Sequence, residues 1–300
     1  MDSQTGRIVV GYDGSEPAGT ALDWAADQAE RLRLPLTVVS VADYGWMQPG
    51  IYTPPAWPEL FQEEAAQVAA KGGNRARKTA TSIDVSTEAE VGHAADVLVG
   101  ASRTAECLVV GTRGHTEVSG ALLGSVSFAV SLHTHSPVVV VRGDGRAPGP
   151  DRPVLVGVDD SDGARAALRY AADRAAESGA SLIVATSYHP VSALVWAESG
   201  YFRPETEHMA DLDAMARKVA GDVTAAAARS AKEHHPALDV RQLVIAGSPA
   251  RELVRAADDC ALLVIGTRGR GGFTGLLLGS VSRSAIHSAP CPVAIVPAGR

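Results

Sequence analysis

Short apolar runs alternate with segments of helical periodicity along the chain, and the whole order occurs twice. In residues 164–178, apolar side chains recur at i, i+3, i+4 and i+7, as on the buried face of a helix. The predicted strands, given as pairs of equivalent copies, are 8–13 and 155–159, 36–41 and 182–187, 83–90 and 238–245, 108–110 and 262–265, and 137–141 and 292–296. The main helices are predicted at 18–32 and 164–178 and at 59–80 and 205–235. This alternation predicts parallel sheets with right-handed crossovers.

The repeat predicts an α/β fold of two tandem domains, each an open five-stranded parallel sheet with helices on both faces. Equivalent positions lie 146 residues apart at the first strands and 155 apart after the third, so the second copy holds nine extra residues. A stretch rich in Pro and Gly, RGDGRAPGPDRP, separates the copies. We expect a first domain at 1–143, a linker at 144–152 and a second domain at 153–300.

Charge and composition narrow the possible partners. The net charge is −7; residues 1–150 hold 11 Lys and Arg against 17 Asp and Glu, and residues 151–300 hold 16 against 17. Neither half has the basic excess that nucleic-acid binding requires, so no nucleic-acid partner is expected. No apolar run is long enough to span a membrane, and the first residues do not resemble a signal peptide. With three cysteines and no CxxC pair, a cytoplasmic protein is expected.

A glycine pattern follows the fourth strand of each copy and precedes a helical stretch. The pattern Gly-x2-Gly-x9-Gly-Ser comprises Gly111, Gly114, Gly124 and Ser125 in the first copy and Gly266, Gly269, Gly279 and Ser280 in the second. A strand, a glycine loop and a helix start together present backbone N–H groups to a phosphate. Two such loops at identical spacing predict a duplicated nucleotide-binding module.

Each position of the loop has a simpler structural interpretation as well. We expect Gly111 to let a ligand approach the backbone and Gly114 to adopt a positive-φ turn, although either glycine could serve the turn alone. The Ser125 hydroxyl could cap the helix or bind a phosphate oxygen, and Ser127 could add a second hydroxyl. Asp13 and its counterpart Asp159 could accept hydrogen bonds from a ribose or adenine, or could cap the first helix. These alternatives remain open from sequence.

Other nucleotide and catalytic patterns are missing from the sequence. There is no Gly-x4-Gly-Lys-Ser/Thr motif, which excludes a P-loop NTPase, and no G-x-G-x-x-G follows the first strand. Neither loop contains a lysine, and the paired histidines His133/His135 and His234/His235 lie outside the loops. No catalytic residue and no metal ligand is therefore predicted. Any hydrolysis is expected to be slow, with Asp13 as the sole candidate base.

The strand-1 pattern V-G-x-D-x-S, present in both copies, the doubled glycine loop and the S-P-V and C-P-V strands resemble the universal stress protein family in its tandem form. The resemblance covers almost the whole chain, and the loop is similar to that of the ATP-binding branch. It implies a Rossmann-like fold of the adenine nucleotide alpha hydrolase type with strand order 3-2-1-4-5. That order places Asp13 beside Gly111 at the topological switch point.

The resemblance also implies the nucleotide contacts. In the first half they are Gly11, Tyr12, Asp13, Val41, Val110, Gly111, Gly114, Gly124, Ser125, Val126 and Ser127. In the second half they are Gly157, Val158, Asp159, Ser187, Ile265, Gly266, Gly269, Gly279, Ser280, Val281 and Ser282. The cofactor implied is ATP, with Mg²⁺ as an optional companion ion.

The two copies differ at their predicted sites. Glu117 in the first loop would repel a phosphate, whereas Arg270 in the second could attract one. Ser187 replaces the apolar adenine contact Val41, and Asp160 replaces Gly14. The second copy is therefore expected to be the better anion site and the first the better adenine site.

The predicted function is a nucleotide-dependent sensor or regulator of the stress response and not primarily an enzyme. Two alternatives are a nucleotide-free scaffold that dimerises and a slow ATPase. The fifth strands are apolar edges that invite pairing, so a pseudo-dimer of the two halves and a homodimer of chains are both expected. The long loops 43–58 and 188–204, rich in Pro and aromatic residues, are predicted to form either a lid or a packing flap.

Overall fold

The computed structural model describes residues 6–43, 57–114, 123–190, 206–269 and 278–299. The chain divides into two compact units. Unit 1 comprises Met1–Ala147 with Cys291–Pro297, and unit 2 comprises Pro148–Pro290 with Ala298–Arg300. The long loops of the sequence prediction fall largely outside the described residues, as do the middle parts of both glycine loops.

Strands and helices alternate through both halves as predicted. The first half contains β1 (Arg7–Gly11), α1 (Glu16–Leu32), β2 (Leu36–Ala42), α2 (Trp57–Ala76), β3 (Val85–Val91), α3 (Ala94–Ala101), β4 (Ala105–Gly111), α4 (Ser125–His133) and β5 (Val138–Val141). The second contains β6 (Val154–Gly157), α5 (Asp162–Ser178), β7 (Leu182–Tyr188), α6 (Thr206–His234), β8 (Val240–Ala246), α7 (Pro249–Ala256), β9 (Leu262–Gly266), α8 (Ser280–Ser288) and β10 (Val293–Val296).

The sheet of unit 1 has the strand order β3-β2-β1-β4-β5, and these five strands are parallel. A sixth strand, β10, pairs antiparallel with β5, with Val293 opposite Val140 and Ile295 opposite Val138. In unit 2 the parallel strands run in the order β9-β6-β7-β8. The α/β fold and the order 3-2-1-4-5 of the first half are confirmed, but the prediction of five strands in each unit is wrong.

The composition of β5 explains this difference. All four of its residues are Val and all are buried, so an unpaired β5 would leave an apolar edge with open backbone groups. Pairing with β10 satisfies that edge. β5 and β10 correspond to the two predicted fifth strands, whose apolar sequences led us to expect pairing at this kind of edge.

Two serines determine where the first helix of each half begins. The Ser15 hydroxyl accepts a hydrogen bond from the Ala18 N–H at 3.3 Å, and Ser161 does the same for Ala164 at 3.2 Å. Because these serines are N-caps, α1 and α5 start two residues earlier than their apolar pattern indicated. The strands before them end at Gly11 and Gly157, so Asp13 and Asp159 lie in the turns.

Candidate functional site

The strand-1 turn and the glycine loop meet at the carboxyl ends of β1 and β4, which are neighbours in the sheet. The contact is direct, because a Cβ placed on Gly114 would collide with the Asp13 Oδ2 atom. Unit 2 repeats it: a Cβ on Gly269 would collide with Asp159 Oδ2. Each unit therefore brings its strand-1 Asp and its glycine loop together at the switch point of the sheet, where open α/β sheets bind ligands.

The two oxygens of each carboxylate face different groups. Asp13 Oδ1 accepts the Ser15 N–H at 2.9 Å, and Asp159 Oδ1 accepts both the N–H and the hydroxyl of Ser161 at 3.1 and 2.6 Å. This oxygen builds the turn in front of the first helix. The other oxygen, Oδ2, lies against the loop glycine. Asp13 and Asp159 therefore have a structural role through Oδ1, while Oδ2 of each still faces the loop.

Gly111 and Gly266 serve close packing between the end of the fourth strand and the first helix. A Cβ on Gly111 would lie 2.7 Å from the Pro17 carbonyl oxygen, and one on Gly266 would lie 2.6 Å from the Gly163 carbonyl carbon. Backbone atoms of the first helix fill the space where a Cβ would lie. The missing Cβ therefore makes room for the helix, and the expectation that it makes room for a ligand is wrong.

Gly114 and Gly269 do not adopt the positive φ that the sequence suggested. The left-handed glycines among the described residues lie elsewhere, with Gly14 at φ 87° in the strand-1 turn as one of them. The reason for glycine at 114 and 269 is the neighbouring carboxylate, which leaves no room for a Cβ. At the position equivalent to Gly14, Asp160 adopts φ 66°, and its carbonyl accepts the Arg165 guanidinium at 2.7 Å.

The far end of each loop closes onto its near end. The Gly124 N–H donates to the Thr112 carbonyl at 2.7 Å, and Gly279 donates to Thr267 at 2.8 Å. These glycines are the N-caps of α4 and α8, and neither helix has a side-chain cap. The alternative that Ser125 caps α4 is therefore wrong, since it is the first helical residue and is exposed.

A helix start of this kind suits an anion. The first N–H groups of a helix have no partner within the helix, and the helix dipole favours negative charge at this end. Because Gly124 and Gly279 offer no side-chain oxygen, a ligand can supply the missing acceptor. Ser125 and Ser280 add an exposed hydroxyl at the same end.

Ser127 and Ser282 are buried and turned toward the sheet. The Ser127 hydroxyl donates to the Gly111 carbonyl at 2.6 Å, and Ser282 donates to Gly266 at 2.7 Å. Their protons are used to tie the last helix to the end of the fourth strand. We therefore assign Ser127 and Ser282 a structural role. The sequence had suggested phosphate binding for these hydroxyls.

The remaining predicted contacts lie around this edge of the sheet. The Tyr12 N–H donates to Val39 and the Val158 N–H to Ala185, both at 2.9 Å. The Tyr12 ring packs toward α2, where a Cβ on Gly72 would lie 2.7 Å from it. The other predicted contacts lie in the equivalent strands and last helices of the two halves. They are Gly11 and Gly157 at the ends of β1 and β6, buried Val110 and Ile265 in β4 and β9, half-buried Val126 and Val281 in α4 and α8, and Val41 and Ser187 near the ends of β2 and β7.

The two positions predicted to contact adenine, Val41 and Ser187, have different surroundings in the two halves. Val41 is half-buried near the end of β2, in register with Glu90. Ser187 donates its hydroxyl to the Gly247 carbonyl at 2.7 Å and so is held by the loop after β8. The Ser187 hydroxyl proton is therefore already used in this hydrogen bond and is not available to an adenine ring. The polar contacts of Glu117 and Arg270 lie outside the described residues.

Two polar residues near the carboxyl ends of β2 and β5, Asp43 and Arg142, were not among the predicted contacts. Asp43, just beyond β2, accepts the Ala94 N–H at 3.1 Å and so supports the start of α3. Arg142 follows β5 and is half-buried, although its sequence context placed it next to a linker. Burial is the main cause of the lowered pKa of the Arg142 guanidinium; the interaction with Cys291 raises this pKa, and the positive charge of Arg113 lowers it. The available sequence signal was a charged residue directly after β5, the strand that neighbours β4.

The histidines and the other metal-ligating side chain types can be located relative to the glycine loops in the part of the chain that the structure describes. No group of three or more His, Cys, Asp or Glu side chains there could hold a metal ion. His235 contacts Asp173 at 2.7 Å, and His234 contacts the Ser230 carbonyl, both away from the glycine loops. Over the same residues, no helix is long and apolar enough to cross a membrane.

Comparisons with known proteins agree with this architecture. The model of the Universal stress protein family matches residues 5–142 and again residues 152–297. Universal stress protein Rv2623 of Mycobacterium tuberculosis is 33% identical over 297 residues, with 96% of this chain and 95% of the relative covered. Universal stress protein Rv2005c of the same organism is 32% identical over 295 residues, with 96% of both chains covered. The crystal structure of a universal stress protein from Archaeoglobus fulgidus aligns with a TM-score of 0.70 at 21% identity, covering 99% of this chain and 100% of that one.

The fold and the doubled loop define a tandem Rossmann-like α/β protein. With two family matches and close relatives along nearly its whole length, the chain belongs to the universal stress protein family. The resemblance inferred from the sequence motifs is thereby confirmed.

Proposed function

We propose that this protein binds one ATP molecule, or a related adenine nucleotide, in each half and acts as a nucleotide-dependent sensor or regulator in the stress response. The observation that carries the proposal is the paired geometry of Asp13 Oδ2 with Gly114 and of Asp159 Oδ2 with Gly269. In both halves this pair lies beside a helix whose glycine N-cap offers no side-chain acceptor. The resemblance of the loop to the ATP-binding branch of the family supports ATP as the ligand.

The site residues divide the nucleotide between them. Strand-1 turns carrying Asp13 or Asp159 would hold the ribose, because a carboxylate oxygen can accept its hydroxyl protons. The helix starts at Gly124–Ser125 and Gly279–Ser280 would hold phosphates through backbone N–H groups and a hydroxyl. Val41 would contact the adenine of the first site. Mg²⁺ would accompany the phosphates without a dedicated set of protein ligands, since described residues offer none.

Regulation is a better proposal than turnover. Efficient phosphoryl transfer needs a positioned base, metal ligands and charge stabilisers. Asp13 and Asp159 use one oxygen to build the turn, which limits their freedom as bases. We propose at most weak hydrolysis, a cytoplasmic location, and pairing of the halves as a pseudo-dimer that further associates into a homodimer.

The nucleotide proposal is tested by identifying what the purified protein carries. We expect acid-denatured, freshly purified protein to release an adenine nucleotide, and the emptied protein to bind about two Mg–ATP per chain in calorimetric titration. The double variant Ser125→Ala with Ser280→Ala should weaken binding, whereas Ser288→Ala, an exposed serine at the end of α8, should not. A protein that releases no nucleotide and gives no binding heat with millimolar Mg–ATP would refute the proposal and favour the scaffold.

The scaffold remains a distinct second candidate because of one observation. β5 is a strand of four buried valines that pairs antiparallel with β10, and this pairing supports a role for the fifth strands in association. If oligomeric state, measured by light scattering, were independent of nucleotide in a protein that binds it, association and nucleotide binding would be separate functions.

A further inference from the structure

The third strand of each half, β3 in unit 1 and β8 in unit 2, is an edge strand of its sheet. Over the part of the chain that the structure describes, β3 pairs only with β2 and β8 only with β7. The two strands are equivalent in the repeat, Val85–Val91 against Val240–Ala246. An edge strand offers its outward backbone N–H and C=O groups to another strand unless something covers them, so the two edges can be compared directly.

The outward backbone groups of β8 belong to every second residue. The Leu182 N–H of β7 donates to the Asp239 carbonyl at 2.8 Å, and the Gly247 N–H donates to the Tyr188 carbonyl at 2.8 Å. In a parallel ladder, the residues of β8 that alternate in step with 239 and 247 bond to β7. The residues between them point their N–H and C=O groups away from β7; they are Val240, Gln242, Val244 and Ala246.

On β3, two outward carbonyls are covered by side chains of α2 and of the residue that follows it. The Arg77 Nη2 atom donates to the Val85 carbonyl at 2.7 Å, and the Gln62 Nε2 atom donates to the Ala89 carbonyl at 2.8 Å. At the two equivalent carbonyls of β8, no side chain among the described residues makes such a hydrogen bond. The edge of β3 is therefore partly closed, and that of β8 is open.

The side chains of the two strands differ in the same direction. β3 has the sequence VSTEAEV with the carboxylates Glu88 and Glu90, whereas β8 has the sequence VRQLVIA with Arg241 as its one charged residue. Residues 243–245 of β8 are apolar and half-buried. Charged side chains on an edge strand hinder pairing with another strand, and apolar ones favour it. β8 therefore lacks both features that protect β3.

A second copy of this chain fits the open edge in one antiparallel register. With the two-fold axis at Leu243, Val244 of each copy lies opposite Gln242 of the other. Val240 lies opposite Ala246 in the same register. Each of these is a pair of outward residues, so every outward residue of β8 can exchange backbone hydrogen bonds with the second copy.

The charges permit this register on β8 and oppose it on β3. On β8, each Arg241 lies opposite Ile245 of the other copy, so the two arginines are four residues apart along the pair, or about 14 Å. The equivalent register on β3 would place Glu88 directly opposite its own copy. Like charges at directly opposite positions destabilise a strand pair. The charge pattern therefore favours a second copy at β8 and disfavours one at β3.

We propose that two chains associate through β8, which pairs antiparallel with β8 of a second copy and joins the two sheets across a two-fold axis. This inference rests on the homodimer proposed above, for which it names the contact surface, and it does not depend on nucleotide binding. The free edge of β5 is already occupied by β10 of the same chain, so β5 does not compete for this role.

The first test removes one outward N–H group from each β8 strand. Val244→Pro deletes an N–H that points away from β7, so the ladder within the chain is spared. We expect light scattering over a concentration series to show a dimer for the parent protein. Val244→Pro should raise the dissociation constant of that dimer by roughly 10-fold or more. The matched control is Ala89→Pro at the equivalent position of β3, which should leave the constant unchanged.

The second test probes the register and uses a half-exposed position, in case Val244→Pro impairs folding by circular dichroism. Leu243→Glu and Leu243→Lys should each give monomers, because the two-fold axis brings two like charges opposite each other. An equimolar mixture of these two variants should restore the dimer, since the charges at the axis are then opposite.

The outcomes separate this inference from the rest of the proposed function. A parent dimer that persists in Val244→Pro and in both Leu243 variants would overturn the β8 contact alone. Leu243 variants that are monomeric but do not recombine would also overturn it, because the register requires them to pair. A parent protein that stays monomeric up to about 1 mM would overturn the homodimer together with this inference and would leave the nucleotide proposal intact. A parent dimer that binds no Mg–ATP would overturn only the nucleotide proposal.

Discussion

Ser127→Ala and Ser125→Ala separate the structural serine of the loop from the candidate ligand-binding serine. The Ser127 hydroxyl is 5% exposed and donates to the Gly111 carbonyl at 2.6 Å. Losing a buried hydrogen bond costs about 1–2 kcal/mol, and the better helix propensity of Ala returns about 0.5 kcal/mol. We therefore expect Ser127→Ala to lower the free energy of unfolding by about 1 kcal/mol, or a Tm drop of roughly 2–4 °C for a domain of this size.

Ser125 gives the matched comparison because it lies two residues earlier in the same helix and is exposed. Ser125→Ala should change the stability of the nucleotide-free protein by less than about 0.5 kcal/mol and should weaken Mg–ATP binding. The assay is urea unfolding followed by circular dichroism, together with calorimetric titration of the same samples. Our reasoning is refuted if Ser127→Ala is as stable as the parent protein, or if Ser125→Ala is the more destabilised of the two.

Four further experiments, three substitutions and one labelling, probe the packing of the fold. Gly14→Ala should destabilise the protein by about 1–2 kcal/mol in urea unfolding, because φ is 87° there, and Gly14→Asn should cost less. Gly72→Ala should also destabilise it, by about 1–3 kcal/mol, since the new Cβ would lie 2.7 Å from the Tyr12 ring. Gly221→Ala, in a helix with open space at that point, should instead stabilise it by about 0.5–1 kcal/mol in the same assay. Burial raises the pKa of Cys260 to about 11, so only about one thiol in a thousand is ionised at pH 8; alkylation there should be slow in the native protein and fast in urea, and equal rates would contradict the burial.

The fold was largely predictable because its signals are local. Each strand of a sheet covered on both faces is a short apolar run, and each helix carries its own periodicity, so the order of elements can be read without tertiary information. The pairing of β10 with β5 joins residues about 150 positions apart, so periodicity does not predict it; only the apolar character of the two fifth strands pointed to it. The early starts of α1 and α5 were missed for a smaller reason: Ser15 and Ser161 define the helix start through a side-chain cap, outside the apolar pattern.

The site was predictable in its positions and less so in its physical reasons. The strand order implied by the family resemblance placed the loop beside the Asp turn, because adjacent parallel strands bring their carboxyl ends to one edge of the sheet. The physical reasons for glycine at these positions differed from the expected ones. A missing Cβ can make room for a ligand, a turn or a neighbouring segment of the same chain, and the sequence does not distinguish these. At Gly111 the neighbour is α1, and at Gly114 it is a carboxylate. Arg142 was not predicted as a contact, because a charged residue just beyond a strand is also typical of a linker.

These packing roles determine which residues of the motif argue for a ligand. Gly111, Gly114 and Ser127 each have a structural partner in the folded chain, so the fold alone would favour them even with an empty site. Ser125 has no such requirement: it is exposed, follows the N-cap and makes no cap bond, so Ala would serve the helix as well. The occurrence of serine at that position in both copies, as Ser125 and Ser280, is therefore the part of the motif that packing does not explain. A phosphate at the helix start explains it, because the hydroxyl then adds a donor where the backbone N–H groups already point.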